Sequence, residues 1–370
     1  MNFPKELEHL IAYKEYAREL KPNVWGFFIP QFKEDGSKNP LWYEFRVNTL
    51  GASETATSLK NDYDEYGIRA KLWWSKLGRK FKEIKSKFTF WGLELEENTA
   101  VAWQYYDGTD EGYIDNRYEG KKIRTYEKLN CYAVNIKYPF LSASFDFLVP
   151  AGQANPFTGE IMEFSFPLEV KQISAFAAEK YELGLPVRYI FQVHQQALIW
   201  EVDYAEIAYL KAGTDFNVLP IFMNEAVTNQ IIEETKEFWD LVQQGKGLYA
   251  DFELESNEAK REELSAQLDT LEPPPEGNKG YEEFWKEKYK NTNTKSRPGT
   301  EEEWGIGTDY NALNKKIKDL EKEKQLLKNQ LLRSIQDYEE VTFNDSGRIV
   351  HRFNEGSRTY FGVNLKLCIS

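Results

Sequence analysis

Two short apolar stretches separated by turn residues mark the middle of the chain. The first is Phe145–Val149, and the second runs from Phe166 to Lys171. The residues between them are rich in Gly, Asn and Pro. Two β-favouring segments joined by such residues predict a β-hairpin. The stretch from Pro186 to Trp200 follows and is typical of a helix that begins with Pro in its first turn.

The flanking regions carry weaker patterns. Residues 1–40 predict a helical opening followed by a loop. Leu72, Trp73, Lys76 and Leu77 predict a helix that lies on the core with its lysines turned outward. Further expectations are a helix over 91–103, short strands and loops over 104–140, strands over 202–210 and 217–222, and a helix over 228–243.

Apolar residues return in heptads near the C-terminus. The alternation by four and three gives an a/d register with Lys324 as a polar break, and its members are Leu313, Ile317, Leu320, Lys324, Leu327, Leu331, Ser334 and Tyr338. The register fits a self-pairing coiled coil, or a helical arm or hairpin folded within the chain. We therefore predict three regions: a core over 1–247, an acidic connector with Pro and Gly over 248–310, and a heptad helix with a terminal β-hairpin over 311–370.

Three charged residues interrupt the apolar strands. They are Asp146 in the first strand, and Glu169 and Lys171 one pleat apart on one face of the second. Two carboxylates can hold Mg²⁺, and an ammonium beside them can orient or deprotonate a water that attacks a phosphodiester. The alternative is a solvated Glu–Lys pair, and the same Glu-x-Lys spacing recurs at Glu83 and Lys85 in a basic run.

The order of these residues resembles a known superfamily. Asp146, then Glu169-x-Lys171, then a helix carrying Tyr189-x-x-Gln192 is similar to the PD-(D/E)XK nucleases, and within them to the YqaJ-type viral recombinases that include phage lambda exonuclease. The resemblance implies an α/β fold: a restriction-endonuclease-like core in which helices flank a mixed sheet. It also implies a deoxyribonuclease that resects linear duplex DNA from 5′ to 3′ and leaves 3′ single strands for recombination. A silent DNA-binding or scaffolding protein of the same fold, or an endonuclease, are the alternatives.

The resemblance assigns roles to further residues. Asp146, Glu169 and the Val170 carbonyl would hold Mg²⁺, with Mn²⁺ as a substitute, and Lys171 and Gln192 would act at the reacting phosphate. Glu96, four residues after Gly92, would reach the metal site, although Glu94 and Glu97 are close enough to compete for that role. The members of a 5′-phosphate pocket would be Arg46 after a Trp-x-x-x-Arg pattern, Ser53 at a helix start, and Ser144 two residues before Asp146.

Charge and composition are consistent with such a protein. The net charge is −13, yet residues 1–90 hold 16 Lys and Arg against 12 Asp and Glu, and the Arg69–Lys87 segment holds eight basic residues and one acid. This segment is a candidate surface for DNA or an ordinary solvated face. The expected partners are duplex DNA ends, a single-strand annealing protein and a second copy of the chain.

The sequence lacks the residues that iron–sulfur, zinc and P-loop sites require. Two distant cysteines exclude an iron–sulfur cluster, three scattered histidines do not make a zinc site, and there is no Gly-rich phosphate loop with Lys-Ser/Thr. The chain has no membrane-spanning apolar run and no signal-peptide pattern at its start. We therefore expect a cytoplasmic protein of a bacterial or phage-infected host cell.

Overall fold

The structure, a computed structural model, describes residues 3–61, 63–65, 67–81, 87–178, 184–278, 280–290, 296–335, 340–342, 347–350 and 364–367. The chain divides into two compact units, Met1–Lys290 and Asn291–Ser370. None of the helices within the described ranges is long and apolar enough to cross a bilayer.

The strands of the described residues are β1 (Ala17–Lys21), β2 (Val24–Phe27), β3 (Leu50–Gly51), β4 (Tyr132–Asn135), β5 (Leu141–Ser142), β6 (Phe147–Val149), β7 (Gln153–Ala154), β8 (Ile161–Met162), β9 (Phe166–Ile173), β10 (Tyr204–Lys211), β11 (Asp215–Phe222), β12 (Glu340–Thr342), β13 (Gly347–Val350) and β14 (Asn364–Leu367). The helices are α1 (Pro40–Val47), α2 (Thr55–Ser58), α3 (Arg69–Lys76), α4 (Lys87–Trp103), α5 (Asp110–Glu119), α6 (Ala175–Ala178), α7 (Val187–Trp200), α8 (Glu225–Leu254), α9 (Glu258–Leu271), α10 (Gly280–Lys288) and α11 (Glu301–Ile335). Two 3₁₀ segments, Lys5–Tyr16 and Ala52–Glu54, complete the set.

The central sheet has the order β11-β10-β9-β6. Strand β9 pairs antiparallel with β6 and parallel with β10, and β10 pairs antiparallel with β11. The predicted hairpin is therefore confirmed as β6 and β9. A parallel pair needs a crossover connection, and α7 lies within the one between β9 and β10.

Helices cover both faces of this sheet. Leu168 and Val170 of β9 pack with Trp103 of α4 on one face, whereas Ala205 and Ile207 of β10 pack with Val193 of α7 on the other. Because successive strand residues point to opposite faces, β9 and β10, whose first five residues are all buried, require cover on both sides. The predicted mixed sheet flanked by helices is confirmed.

The N-terminal region differs from its prediction. Residues 17–27 form two strands of a separate sheet with the order β1-β2-β4, where a loop was expected. Helix α5 lies in the 104–140 region, where strands and loops were expected. Its start is capped by Thr109, whose hydroxyl accepts from the Gly112 N–H at 3.0 Å, and it ends at Gly120 with φ 67°. Local capping therefore produces a helix whose apolar pattern is weak.

The first unit extends well beyond the predicted core boundary at 247. Helix α8 runs through that position to Leu254. Leu268 of α9 and the two aromatic residues Tyr281 and Phe284 of α10 are buried in the same cluster as Trp73. Most acidic residues of this region face solvent, whereas Leu268, Tyr281 and Phe284 pack inward, so its first part belongs to the core instead of forming a connector.

The second unit contains α11 and a three-stranded antiparallel sheet with the order β12-β13-β14. The C-terminal helical region is thus confirmed. It is one helix of 35 residues from Glu301 to Ile335. The predicted terminal hairpin is part of a larger sheet, and the last heptad position, Tyr338, lies outside the described residues.

Candidate active site

Asp146 lies immediately before β6, at the point where the central sheet opens. Its Oδ2 accepts a hydrogen bond from the Val170 N–H of β9 at 2.9 Å. The pairing of β6 with β9 reaches only as far as Phe147 opposite Leu168. Because the N–H and C=O of one strand residue point to the same side, the Val170 carbonyl also faces the gap beside Asp146. A carboxylate and a carbonyl oxygen thus share one opening.

Glu169 is almost fully buried, with 1% of its side chain exposed. Its Oε1 accepts from the Lys171 ammonium and from Gln192 Nε2 at 2.5 Å. Its Oε2 accepts from Gln196 Nε2 at 2.6 Å. Donors from β9 and α7 therefore hold both oxygens, and they keep a buried carboxylate in one orientation.

The charges of this cluster act on one another. Removal from solvent and repulsion from Glu169 raise the pKa of Asp146 well above its usual value, and Glu96 adds to the rise while Lys171 opposes it. Burial alone would lower the pKa of Lys171, but the carboxylates of Glu169 and Asp146 outweigh burial and raise it. Lys171 is therefore an ammonium, and the two carboxylates destabilise each other.

Helix α4 brings one acid toward this cluster. The charge of Glu96 acts on Asp146, and its Oε1 lies 3.0 Å from the Lys128 ammonium. Of the two competing acids, Glu94 is exposed, and Glu97 accepts a hydrogen bond from a tyrosine hydroxyl at 2.6 Å. The geometry therefore favours Glu96 among the three.

Two of the proposed phosphate residues, Ser53 and Ser144, follow the strands of a second, smaller sheet. Strands β3 and β5 run parallel, with Gly51 opposite Ser142. Both segments leave their strands in the same direction, so Ser53 and Ser144, each two residues farther on, come to the same edge. Both side chains are exposed. The backbone carbonyl of Ser144 also accepts from Gln196 Nε2 at 3.1 Å.

Arg46 reaches this edge through an ionic cluster that was not predicted. Its Nη2 lies 3.4 Å from Glu54 Oε1, and Glu54 Oε2 accepts from the Lys76 ammonium at 2.6 Å and the Gly51 N–H at 2.8 Å. Burial would raise the pKa of Glu54, but Lys76 and Arg46 lower it overall. The cluster holds one negative and two positive charges, and the Arg46 side chain remains 37% exposed.

One expectation about this region was wrong. Lys76 does not face outward: it is 2% exposed and donates to the carbonyls of Arg46 at 2.6 Å and Thr49 at 2.8 Å. The helix start at Ser53 comprises a 3₁₀ turn of three residues and α2 of four, too short for a strong dipole. Residues 82–86 of the basic segment, including the second Glu-x-Lys, lie outside the described residues.

One segment of the chain is similar to a known protein domain. Residues 41–204 match the YqaJ-like viral recombinase domain. The resemblance inferred from the sequence is therefore confirmed for this segment, which contains every predicted site residue. No curated protein matches the chain in sequence.

Two solved structures are weakly similar to the chain that carries this YqaJ-like segment. An alkaline exonuclease, LHK-Exo, from Laribacter hongkongensis has a TM-score of 0.40 and 16% identity, over 63% of this chain and 100% of that one. A phage-related exonuclease from Haemophilus somnus 129PT has a TM-score of 0.32 and 13% identity, over 55% and 98% of the two chains.

One residue of the YqaJ-like domain was missed by the sequence prediction although it lies at the centre of the site. Gln196 is fully buried and joins Glu169 to the Ser144 carbonyl. Its own Oε1 has no hydrogen-bond partner among the described residues. Gln192, Gln195 and Gln196 have i, i+3 and i+4 spacing, which places them on one helical face. That spacing was the available signal.

The site fits a divalent cation of the Mg²⁺ type. Its donors are hard oxygens, and the raised pKa of Asp146 marks a repulsion that a cation would relieve. No group of three or more His, Cys, Asp or Glu side chains suited to one ion occurs among the described residues. Mg²⁺ keeps several waters and often takes only one or two protein carboxylates, which is the number that Asp146 and Glu169 offer.

Proposed function

We propose that this chain hydrolyses phosphodiester bonds of DNA with Mg²⁺ at Asp146 and Glu169, and that Mn²⁺ substitutes. The observation that carries the proposal is the arrangement around Glu169, where Lys171, Gln192 and Gln196 donate to one buried carboxylate beside Asp146. Beyond its ion pair with Lys171, Glu169 receives a second and a third donor from a separate helix, so its carboxylate is held in one orientation. Such fixed orientation is what ligands of a catalytic cation require.

Each side chain has a role in the proposed reaction. Asp146, Glu169 and the Val170 carbonyl would hold the cation, and Glu96 would assist a second ion. A bound Mg²⁺ polarises the scissile phosphate and lowers the pKa of its water. Lys171, as an ammonium, orients the attacking water and offsets charge that develops on the phosphate. Gln192 fixes Glu169 through the bond described above, and it would also act on the reacting phosphate.

We further propose that the enzyme degrades duplex DNA from 5′ ends. Two observations support this direction: Ser53 and Ser144 each follow one of the paired parallel strands β3 and β5, and Arg46 lies 3.4 Å from Glu54, next to Ser53 in the chain. A guanidinium and two hydroxyls form a suitable pocket for a terminal phosphate. Gln196 links this edge to Glu169, so a held terminus would lie near the cation. The products, 3′ single strands, are substrates for an annealing protein.

The activity is tested with linear and closed circular duplex DNA in Mg²⁺ and in EDTA. We expect cleavage of the linear form alone, only with the cation, and its loss in Asp146→Asn. Lys171→Ala should lower kcat by about 100-fold or more with little change in DNA affinity. Lys211→Ala, at the end of the neighbouring strand β10, is the matched control and should change neither quantity. Cleavage of circles would indicate an endonuclease, and folded protein without any cleavage would indicate a silent DNA-binding protein.

The direction is tested with duplexes that carry a 5′-phosphate or a 5′-hydroxyl. A good charge-assisted contact contributes about 1.5–3 kcal/mol, so Arg46→Ala should slow degradation of phosphorylated ends by about 10- to 100-fold and of hydroxyl ends much less. Arg18→Ala is the matched control, because both arginines lie over an aromatic ring: Arg46 over that of Trp42 at 4.9 Å and Arg18 over that of Phe28 at 3.9 Å. Equal losses on both substrates for Arg46→Ala would remove the assignment of a 5′-phosphate pocket.

A further inference from the structure

Helix α11 exposes an apolar stripe along most of its length. With Leu313, Leu320 and Leu327 at d positions of a heptad repeat, Ile306 is also d, and Tyr310, Ile317 and Lys324 are a positions. The exposed fractions are 63% for Ile306, 66% for Tyr310, 59% for Leu313, 52% for Ile317, 53% for Leu320 and 57% for Leu327. A contiguous exposed stripe of this kind indicates an interaction surface.

The choice of residues in the stripe favours two parallel strands. A β-branched residue at a with leucine at d is typical of parallel dimers, and Ile317 is flanked by Leu313 and Leu320. Between Ile306 and Leu327 the polar a residue is Lys324. In a parallel, in-register pair it faces Lys324 of the second copy, whereas in an antiparallel pair it would face a d residue. A lysine or asparagine at one a position fixes register at some cost in stability. The stripe therefore specifies both partner and alignment.

The flanking charges fit a second copy of the same helix. In a parallel pair, a g residue faces the e residue of the next heptad on the partner. Lys316 at g then faces Glu321 at e, and Glu323 at g faces Lys328 at e. Two-fold symmetry repeats both contacts, which gives four pairs of opposite charges. In the antiparallel alignment that places Ile317 against Leu320, only Lys316 meets an acid, Glu323.

We propose that α11 pairs with α11 of a second copy as a parallel, in-register, two-stranded coiled coil, so that the protein is a dimer in solution. This inference goes beyond the proposed function and does not depend on it. It needs only the register, the exposed side chains from Ile306 to Leu327 and the order of charges. The occupant of the stripe is thus another molecule of this chain.

Two neighbouring leucines provide the test of the interface. Leu326 and Leu327 are both 57% exposed, but Leu327 is a d residue and Leu326 is a c residue on the outer face. Sedimentation equilibrium of the full chain should give a dimer for the wild type and for Leu326→Glu. Leu327→Glu should raise the dimer dissociation constant by about 100-fold or more, because it buries a charge in the seam. Far-UV circular dichroism checks that both variants keep their fold.

A charge exchange tests the direction of pairing. Lys316→Glu should weaken the dimer roughly tenfold, and adding Glu321→Lys should restore it, because the g–e′ pair is rebuilt with reversed signs. Restoration by Glu323→Lys instead would show antiparallel helices and overturn the proposal. A wild-type monomer, a trimer, or equal weakening by Leu326→Glu and Leu327→Glu would also overturn it.

Discussion

Gln196 is the residue whose replacement should reveal how the site holds its cation. Its Nε2 donates to Glu169 Oε2 at 2.6 Å and to the Ser144 carbonyl at 3.1 Å, while its Oε1 has no partner among the described residues. A donor to a charged group contributes about 1.5–3 kcal/mol and one to a neutral carbonyl about 0.5–1.5, but a buried unpaired oxygen costs about 1–3 kcal/mol. These contributions largely cancel. Gln196→Met, of similar shape, should change the free energy of unfolding by no more than about 1–2 kcal/mol.

The effect on the site should be much larger than the effect on stability. Without Gln196 one oxygen of Glu169 loses its donor, and replacing such supporting groups commonly costs 10- to 100-fold in metal affinity or activity. We expect a loss of about that size, with the Mg²⁺ midpoint of the cleavage rate moved upward. A Mn²⁺ titration followed by electron paramagnetic resonance measures the same affinity without relying on cleavage.

Gln195 is the matched control because it adjoins Gln196 but is fully bonded elsewhere. Its Nε2 donates to the Leu50 and Ser142 carbonyls, each at 3.0 Å, and its Oε1 accepts from Thr55 at 2.7 Å. Gln195→Met should therefore cost about 2–4 kcal/mol in urea unfolding and leave the Mn²⁺ affinity of the folded protein little changed. The reasoning is refuted if Gln196→Met binds Mn²⁺ as the wild type does.

Three other predictions follow from buried charges. Asp146→Asn should raise the melting temperature in EDTA, because the pKa of Asp146 is raised and its negative charge destabilises the fold at neutral pH. The same variant should lose the stabilisation by Mg²⁺. An unchanged Mg²⁺ effect in calorimetry would exclude Asp146 as a ligand. Lys246→Met should stabilise the fold by about 1–2 kcal/mol at pH 7, because burial and Lys76 lower the pKa of Lys246 to about 8. Between pH 8 and the ordinary lysine pKa of 10.5, the unfolded chain keeps the Lys246 proton that the folded chain has released. The stability of the wild type should therefore rise with pH and approach that of the variant. A difference in urea unfolding that does not change with pH would contradict the lowered pKa of Lys246. Arg124→Met should lower the free energy of unfolding by about 3–5 kcal/mol, because it leaves the fully buried Glu206, which lies 2.9 Å from Arg124, without its counter-charge. Trp103 and Tyr204 also donate hydrogen bonds to Glu206. A loss below about 1 kcal/mol in urea unfolding would show that these two donors stabilise the carboxylate without Arg124.

The sequence by itself determined the centre of the protein. The apolar runs of β6 and β9 and their turn residues are local signals, so the hairpin and its isolated charges could be predicted. Asp146, Glu169, Lys171 and Gln192 follow one another in an order that resembles the YqaJ-type recombinases, and the match over residues 41–204 agrees. Their proposed roles remain predictions.

Tertiary structure decided which side chains support these residues. Gln196 and Lys76 are ordinary helix residues by propensity, and only the packing of α7 on β9 and of α3 beside α1 turns them inward. A buried lysine cannot be distinguished from a surface lysine by its neighbours in the chain, because its partners here are Glu54 and two backbone carbonyls from another segment.

Tertiary packing also decided where the first unit of the chain ends. The acidic composition after residue 247 predicted a connector, yet composition averages over faces, and a few inward residues such as Leu268 and Phe284 are enough to fix helices onto a core. The heptads of α11 are the opposite case. Their heptad period could be predicted from the sequence. The choice between an arm folded within the chain and a coiled coil with a second copy depends on whether the apolar side chains are exposed. The structure leaves Leu313, Leu320 and Leu327 in solvent, which is the physical reason to look for a second copy.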